Sequence, residues 1–171
     1  MIRLTTGPKL GTRLSIGAGL MLAASAWSAR AESIDPPDAH ASFSAKASGV
    51  QIYACEYDAN HALGWVYKEP RATLFDDRGA AVIEHSAGPS WEARDGSRIE
   101  GRVLAQSPSN TPDSVPQLLL RARSTGAQGT LSPVRYVQRV KTMGGMKPSA
   151  PCTAEHESGS SPYLATYVFY Q

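Results

Sequence analysis

Residues 90–105 read Ser90-Trp91-Glu92-Ala93-Arg94-Asp95-Gly96-Ser97-Arg98-Ile99-Glu100-Gly101-Arg102-Val103-Leu104-Ala105, and this stretch decides the fold class. Asp95-Gly96 is the strongest short-range signal for a β-hairpin. After it, Ile99, Gly101, Val103 and Ala105 face one side, and the positions between them are charged except Leu104. That alternation is typical of an antiparallel strand with one buried face. The stretch therefore predicts a hairpin whose strands cover 90–94 and 98–105.

The same character continues outward from the hairpin in both directions. Runs rich in β-forming residues, separated by turn signals, predict further strands at 50–55, 63–67, 71–76, 80–87, 117–123, 131–141 and 163–170. Segments 107–116 and 142–162 are rich in Pro, Gly and Ser and predict loops. About nine strands joined mostly by short turns predict an all-β fold, an antiparallel meander closed or nearly closed into a barrel or a two-sheet sandwich.

The N-terminal 31 residues have the layout of a secretory signal peptide. They carry four basic side chains (Arg3, Lys9, Arg13, Arg30) and no acidic one, an apolar stretch over 14–26, and then Ala29-Arg30-Ala31. The apolar stretch of about 13 residues is shorter than the roughly 20 that a membrane-spanning helix needs. We expect cleavage after Ala31, no membrane span afterwards, and export to the periplasm or the extracellular space.

Cleavage of the signal peptide would change the net charge of the chain. The 17 basic residues of the chain fall to 13 against 15 acidic ones, so the remaining chain is slightly acidic. That charge gives no support for nucleic acid or an anionic membrane as a partner. We predict an extended lead-in over 32–48 and a single β domain over 49–171. The sequence leaves the oligomeric state open.

The chain has two cysteines, Cys55 and Cys152, and both follow the signal peptide. In an oxidising compartment they predict one disulfide; two free thiols are the alternative. Cys152 and His156 form one Cys-x-x-x-His pair, but a second pair and a Cys-x-x-Cys are missing, so no metal site is predicted. The sequence contains no dinucleotide fingerprint, phosphate loop, His-Glu-x-x-His or Gly-x-Ser-x-Gly, and no cofactor is predicted.

Three predicted strands place polar side chains on their apolar faces. His85 shares a face with Ile83, Gln138 shares one with Tyr136, and Gln51 shares one with Tyr53. Such groups need partners, because an unsatisfied buried polar group costs about 1–3 kcal/mol. Either they bond to one another in a packed core, or they line a small pocket. The predicted ligand-binding residues are His85, Trp91, Tyr53, Gln138 and Trp65.

Three functions are compatible with these residues. The first is non-enzymatic binding of a small molecule or a glycan in that pocket. The second is a hydrolase using His85 with Glu92 or Asp95, which requires these groups within hydrogen-bond reach of one point. The third is a structural or surface-interaction protein with a filled core. A hollow or a filled interior distinguishes the first from the third.

Several motifs taken together resemble the DUF3455 family of uncharacterised exported proteins of bacteria and fungi. The matching residues are Gly49-Val50-Gln51-Ile52-Tyr53-x-Cys55, Ala72-x-Leu74-x-Asp76-x-x-Gly79, His85-x-x-Gly88-Pro89-x-Trp91-Glu92, Asp95-Gly96-Ser97, Pro116-x-Leu118-Leu119-Leu120-x-Ala122, Gln138-Arg139-Val140-x-Thr142-x-Gly144-Gly145, Cys152 and Pro162-Tyr163-x-Ala165-x-Tyr167. The sequence departs at Gln117, where the family pattern has a tryptophan, and at Ile83-Glu84, where it has a glycine. The resemblance implies one exported domain with a cysteine pair, and it implies no reaction. A malate-dehydrogenase label carried by some members conflicts with the all-β pattern.

Overall fold

The computed structural model describes residues 33–171, so the predicted signal peptide lies outside the described residues. Eight antiparallel strands follow one another around a closed barrel, and the first strand pairs with the last. The strands are β1 (Ala41–Tyr57), β2 (Leu63–Phe75), β3 (Ala81–Ser86), β4 (Ser90–Ala93), β5 (Arg98–Ser107), β6 (Gln117–Ser124), β7 (Tyr136–Gly144) and β8 (Ser158–Tyr170). The predicted all-β meander is confirmed. No helix within 33–171 has the length and apolar character needed to cross a membrane.

The hairpin of residues 90–105 forms around the predicted turn. Glu92 pairs with Arg98, and Gly96 has a φ of 80°, a left-handed conformation that glycine adopts without a Cβ penalty. The strand count is eight because the predicted strands 63–67 and 71–76 are one strand, β2. Pro70 lies inside it opposite Gln51, next to a β-bulge at Ile52/Tyr53. A proline normally interrupts a strand, and the bulge is one place where it is tolerated.

The N-terminal part of the described chain differs from the predicted lead-in. Residues 41–48 are the first half of β1, and only 33–40 lack regular structure. Within this short segment Ile34 and Ala39 pack against an outer apolar cluster of Ala105, Leu119 and Tyr136. The barrel wall is therefore buried on both faces where the segment crosses it.

One end of the barrel, which we call the closed end, is filled by the main core. Its largest members include Leu74, Ile99, Val137 and Phe169, all fully buried. The segment 125–135 adds Leu131 and Val134 to this core, so β7 begins at Tyr136 rather than at the predicted residue 131. The core fills the interior at this end, and Phe43, Ile83 and Ala93 also border a second hollow of about 740 Å³ beside the turns 76–80 and 94–97.

The other end, which we call the open end, carries the connections 58–62, 87–89, 108–116 and 145–157. The last of these is fixed to the barrel by a disulfide between Cys55 and Cys152, whose Cα atoms are 5.8 Å apart. The predicted disulfide is confirmed. It joins the end of β1 to the loop that precedes β8, across a sequence separation of 97.

Candidate functional site

The interior of the barrel contains a cavity of about 530 Å³ at the open end. Side chains from all eight strands and from three connections surround it. The walls are mostly apolar or aromatic and include Pro70, Pro89, Trp91, Val103, Val115, Leu118, Leu120 and Met146. Eight lining residues bring polar groups into this wall: Gln51, Tyr53, Tyr67, Lys68, His85, Gln106, Arg139 and Tyr167. Size and composition are those of a site for a small organic molecule.

An aromatic cluster forms the wall between the cavity and the core. The His85 ring stacks on Trp91 with centroids 4.6 Å apart, and Tyr167 meets both rings edge-on, at 5.1 and 5.8 Å. Trp91 can lie there because residue 101 is a glycine: a Cβ at that position would be 2.8 Å from Cζ3 of the indole. The close approach of β5 thus fixes the tryptophan ring.

His85 is held in one tautomer. Its Nδ1 is 2.8 Å from the carbonyl oxygen of Ser90, and a carbonyl only accepts, so Nδ1 carries the proton. Burial, and after it the positive charge of Arg139, lower the pKa of His85 to about 4, although the bond to Ser90 opposes the shift. The imidazole is therefore neutral near pH 7, with Nε2 as a hydrogen-bond acceptor.

Arg139 is the one residue of the cavity wall that is both charged and buried, with 8% of its surface exposed. Nε and Nη2 donate to the carbonyl oxygen of Pro116, at 3.2 and 2.8 Å. Five ion pairs occur within residues 33–171, and none of them includes Arg139. A buried guanidinium thus lies beside the cavity without a carboxylate.

Two further donors at the cavity have no partner. Gln51 is 1% exposed and its Nε2 makes no hydrogen bond to any described residue; the same holds for Nε1 of the fully buried Trp91. Buried polar groups are nearly always satisfied in folded proteins, and exceptions call for an explanation such as a ligand or a bound water. Both residues belong to the cavity wall.

The connection 145–157 covers part of the open end. The Tyr53 hydroxyl donates to the carbonyl oxygen of Gly145 at 2.7 Å, and Trp65 Nε1 donates to that of Ala150 at 2.8 Å. The disulfide at Cys152 and backbone hydrogen bonds of Gly145, His156 and Glu157 hold this connection as well, and its Met146 contributes to the cavity wall. The cavity still reaches solvent between half-exposed side chains such as Val103 and Tyr67.

The structure brings together three of the five predicted site residues. His85, Trp91 and Tyr53 line the cavity; Trp65 lies at the rim and contacts the 145–157 connection instead. The prediction for Gln138 is wrong in its orientation. Gln138 is on the outer face, where it donates to the Ile34 carbonyl oxygen and accepts from the Tyr170 hydroxyl. Its neighbour Arg139 points inward.

The carboxylates of the hydrolase hypothesis do not meet His85. Glu92 is exposed on the outer face, 3.5 Å from Arg98, whereas His85 is inside the barrel. Asp95 is in the turn at the closed end, where its carboxylate accepts hydrogen bonds from Ser97 and Thr130 that hold its pKa well below the usual range. Asp95 therefore joins the β4–β5 turn to the segment that fills the closed end.

Sequence reasoning missed Arg139 and Tyr167 as cavity residues and did not assign Gln51 to the site. All four residues 136–139 are buried, because the inner face lines the barrel and the outer face lies under 33–40. These residues therefore show no alternation of polar and apolar positions that would indicate which side chains point inward. The pairing of Arg139 with Leu118 and Tyr167 sets its inward direction, and that pairing is visible only in the barrel.

The depressed pKa of His85 predicts a pH-dependent stability. His85 takes up a proton near pH 6.5 in the unfolded chain and only near pH 4 in the folded protein. The unfolding free energy therefore has its full value above pH 6.5 and decreases as the pH is lowered from 6.5 to 4. The loss should approach about 3 kcal/mol below pH 4. Urea unfolding at pH 7 and pH 4.5 measures it in the wild type and in His85→Gln.

His85→Gln should remove most of the pH dependence in this window. A matched control is His61→Asn at an exposed position with a φ of 57°, which asparagine tolerates. This control should keep the wild-type dependence. Equal pH dependence in His85→Gln and the wild type would contradict the assignment of the titration to His85.

Comparison with known proteins gives one match. The family described as "Protein of unknown function (DUF3455)" matches residues 36–171, which is most of the chain and all eight strands. No curated protein matches the chain significantly. No solved structure does so either. The match begins before the predicted domain start at residue 49, in line with a first strand that starts at Ala41.

Proposed function

The chain belongs to the DUF3455 family, whose description assigns no function, and we propose that it is a non-enzymatic protein that binds a small, largely apolar molecule inside its barrel. The observation that carries the proposal is the cavity of about 530 Å³ that inward-facing side chains of all eight strands enclose at the open end of the barrel. Interiors are normally close-packed, and an unfilled volume of this size with converging polar groups is typical of a binding site.

The wall favours a small molecule over a glycan. A glycan presents many hydroxyl groups and needs many polar partners, whereas this wall is mainly aromatic and aliphatic. The indole of Trp91 is fully buried and stacked on His85, so it offers no open platform for a sugar ring. An apolar body of moderate size matches these surroundings better, with the few polar groups fixing its orientation.

The arrangement of side chains around His85 does not support hydrolysis. Acid–base catalysis needs a second group positioned with His85 around one point, and the cavity wall formed by residues 33–171 contains no aspartate or glutamate. The low pKa of His85 also makes the imidazole a weak base. We propose binding without turnover.

We further propose that this binding takes place outside the cytoplasm, in the periplasm or the extracellular space. The N-terminal sequence pattern and the Cys55–Cys152 disulfide support export, because such bonds form and persist in oxidising compartments. Export also places a binding protein where it can meet molecules from the environment.

Two dyes with one aromatic body test the proposal: phenylnaphthylamine, which is neutral, and anilinonaphthalene sulfonate, which carries a negative charge. At least one should bind saturably, with enhanced fluorescence, and raise the Tm. Val103→Trp places an indole at the open end of the cavity and should weaken that binding by about tenfold or more, since 1.4 kcal/mol of lost contact is a factor of ten.

Leu104→Trp is the matched control, because Leu104 is the next residue along β5, is similarly exposed and does not line the cavity. It should bind like the wild type. If neither dye binds, or if both variants bind as well as the wild type, the proposed function is wrong. Far-UV circular dichroism of both variants checks that the barrel is intact.

A further inference from the structure

We propose that the molecule held in the cavity is an organic acid, whose anionic head group binds Arg139 and Gln51 while its apolar body contacts Trp91, Leu118 and Leu120. This inference rests on the proposed binding function and narrows it to one class of ligand. It follows from three features of the wall: its charge, its unpaired donors and the division between its polar and apolar parts.

The charge of the wall is positive and unbalanced. Arg139 and Lys68 line the cavity, and no aspartate or glutamate among residues 33–171 does. Lys68 forms an ion pair with Glu56, so its charge is matched at the rim. Arg139 donates to the Pro116 carbonyl oxygen and lies beside the Tyr167 hydroxyl, and neither of these acceptors carries a formal charge. A buried charge without a counter-ion is costly, and a bound oxyanion would supply one.

The hydrogen-bond inventory points to the same ligand. Within residues 33–171, Gln51 Nε2 and Trp91 Nε1 are buried donors without acceptors, and the bonds to Pro116 use two of the five N–H groups of the Arg139 guanidinium. The neutral His85 adds an acceptor at Nε2 and no positive charge. A carboxylate, sulfonate or phosphate offers several acceptor oxygens, and guanidinium groups bind such oxyanions in a bidentate way.

The apolar part of the wall indicates that the rest of the ligand, beyond its anionic group, is apolar. Val115, Leu118 and Met146 lie around the same space as Arg139, with the Trp91 ring at its inner end. An inorganic ion would leave this surface uncovered. The combination of one buried cation with a largely apolar wall therefore favours an amphiphilic acid over free phosphate or sulfate.

The two dyes also test this inference, because they differ chiefly in the sulfonate. Anilinonaphthalene sulfonate should bind about 10- to 100-fold more tightly than phenylnaphthylamine, the range expected for a charge-assisted hydrogen bond. Arg139→Met should remove that difference and leave the affinity for the neutral dye within about twofold. Naphthoate and naphthyl phosphate, compared by calorimetry, show whether a carboxylate or a phosphate is preferred.

The controls separate a local effect from a general one. Arg121→Met removes the same charge from the outer face, where Arg121 donates to the Tyr136 hydroxyl at 2.7 Å, and should keep the preference for the sulfonate. Arg139→Lys should retain part of it. Because an unpaired buried charge does not favour folding, Arg139→Met should have an unchanged or higher Tm.

The outcomes are distinguishable. If both dyes bind equally and Arg139→Met changes neither affinity, the acid preference is wrong and the proposed binding function stands. If neither dye binds, the proposed function itself fails. Should Arg139→Met not fold, Gln51→Leu provides a second variant, which must weaken the sulfonate more than the neutral dye.

Discussion

Replacing Cys55 and Cys152 together by alanine is expected to lower the free energy of unfolding by about 4–5 kcal/mol, the chain-entropy value for a closed loop of roughly 100 residues. The bond restricts the unfolded chain more than it adds contacts to the folded one. Backbone hydrogen bonds from Cys55 to Glu157 and from His156 to Cys55 remain when it is absent, so the barrel should still form.

Urea unfolding of the wild type and of the double variant, each with and without a reducing agent, measures this effect. Reduction should weaken the wild type to the level of the variant and leave the variant unchanged, since the described residues contain no other cysteine pair. A loss below about 1 kcal/mol would show that the unfolded chain is already compact around this loop.

Trp91→Ala is expected to cost about 3–5 kcal/mol, the range for removing a fully buried aromatic side chain. The ring contacts His85, Tyr167 and Phe169, so its removal leaves the inner end of the cavity without a wall. Thermal or urea unfolding provides the measurement. Trp65→Ala is the matched control at the rim and should cost about 1 kcal/mol, as its indole is only partly buried.

A double-mutant cycle that combines Trp91→Ala with Gly101→Ala tests whether the Trp91 ring packs on Gly101. In the wild type the added methyl group would be 2.8 Å from the Trp91 ring, so Gly101→Ala should be destabilising. In the Trp91→Ala background only the Leu120 Cδ2 methyl group, at 3.2 Å, remains close to the added methyl group, so the same substitution should be much less destabilising. Additive effects of the two substitutions would contradict the packing of Trp91 on Gly101.

The parts of the fold that could be predicted from the sequence are those that local chemistry determines. Asp95-Gly96 specifies its own turn, and two cysteines that follow a predicted export signal have one pairing to form. Pro70 was misleading because a bulge two residues before it, at Lys68, accommodates the proline, and that bulge is a property of the strand pair. Closure between β1 and β8 joins residues more than a hundred positions apart, and no local signal reports it.

The site was predictable only in part for a related reason. His85 and Trp91 lie on strands with one buried face, so alternation indicates their direction correctly. Gln138 and Arg139 lie where both faces are buried, so alternation carries no information there. The volume of the cavity depends on side chains from all eight strands at once. A hollow interior therefore could not be distinguished from a filled one until the strands were placed in a barrel.

The pairing of the first strand with the last has a consequence for how the chain reaches its native state. Until β8 has emerged from the ribosome or from a membrane channel, β1 and β7 are both unpaired edges, and exposed edges invite association with other chains. Contacts between such distant segments also form slowly, because a long loop must close first. The barrel can therefore close only when the whole chain is available, and until then both edges of the shorter chain stay open to association.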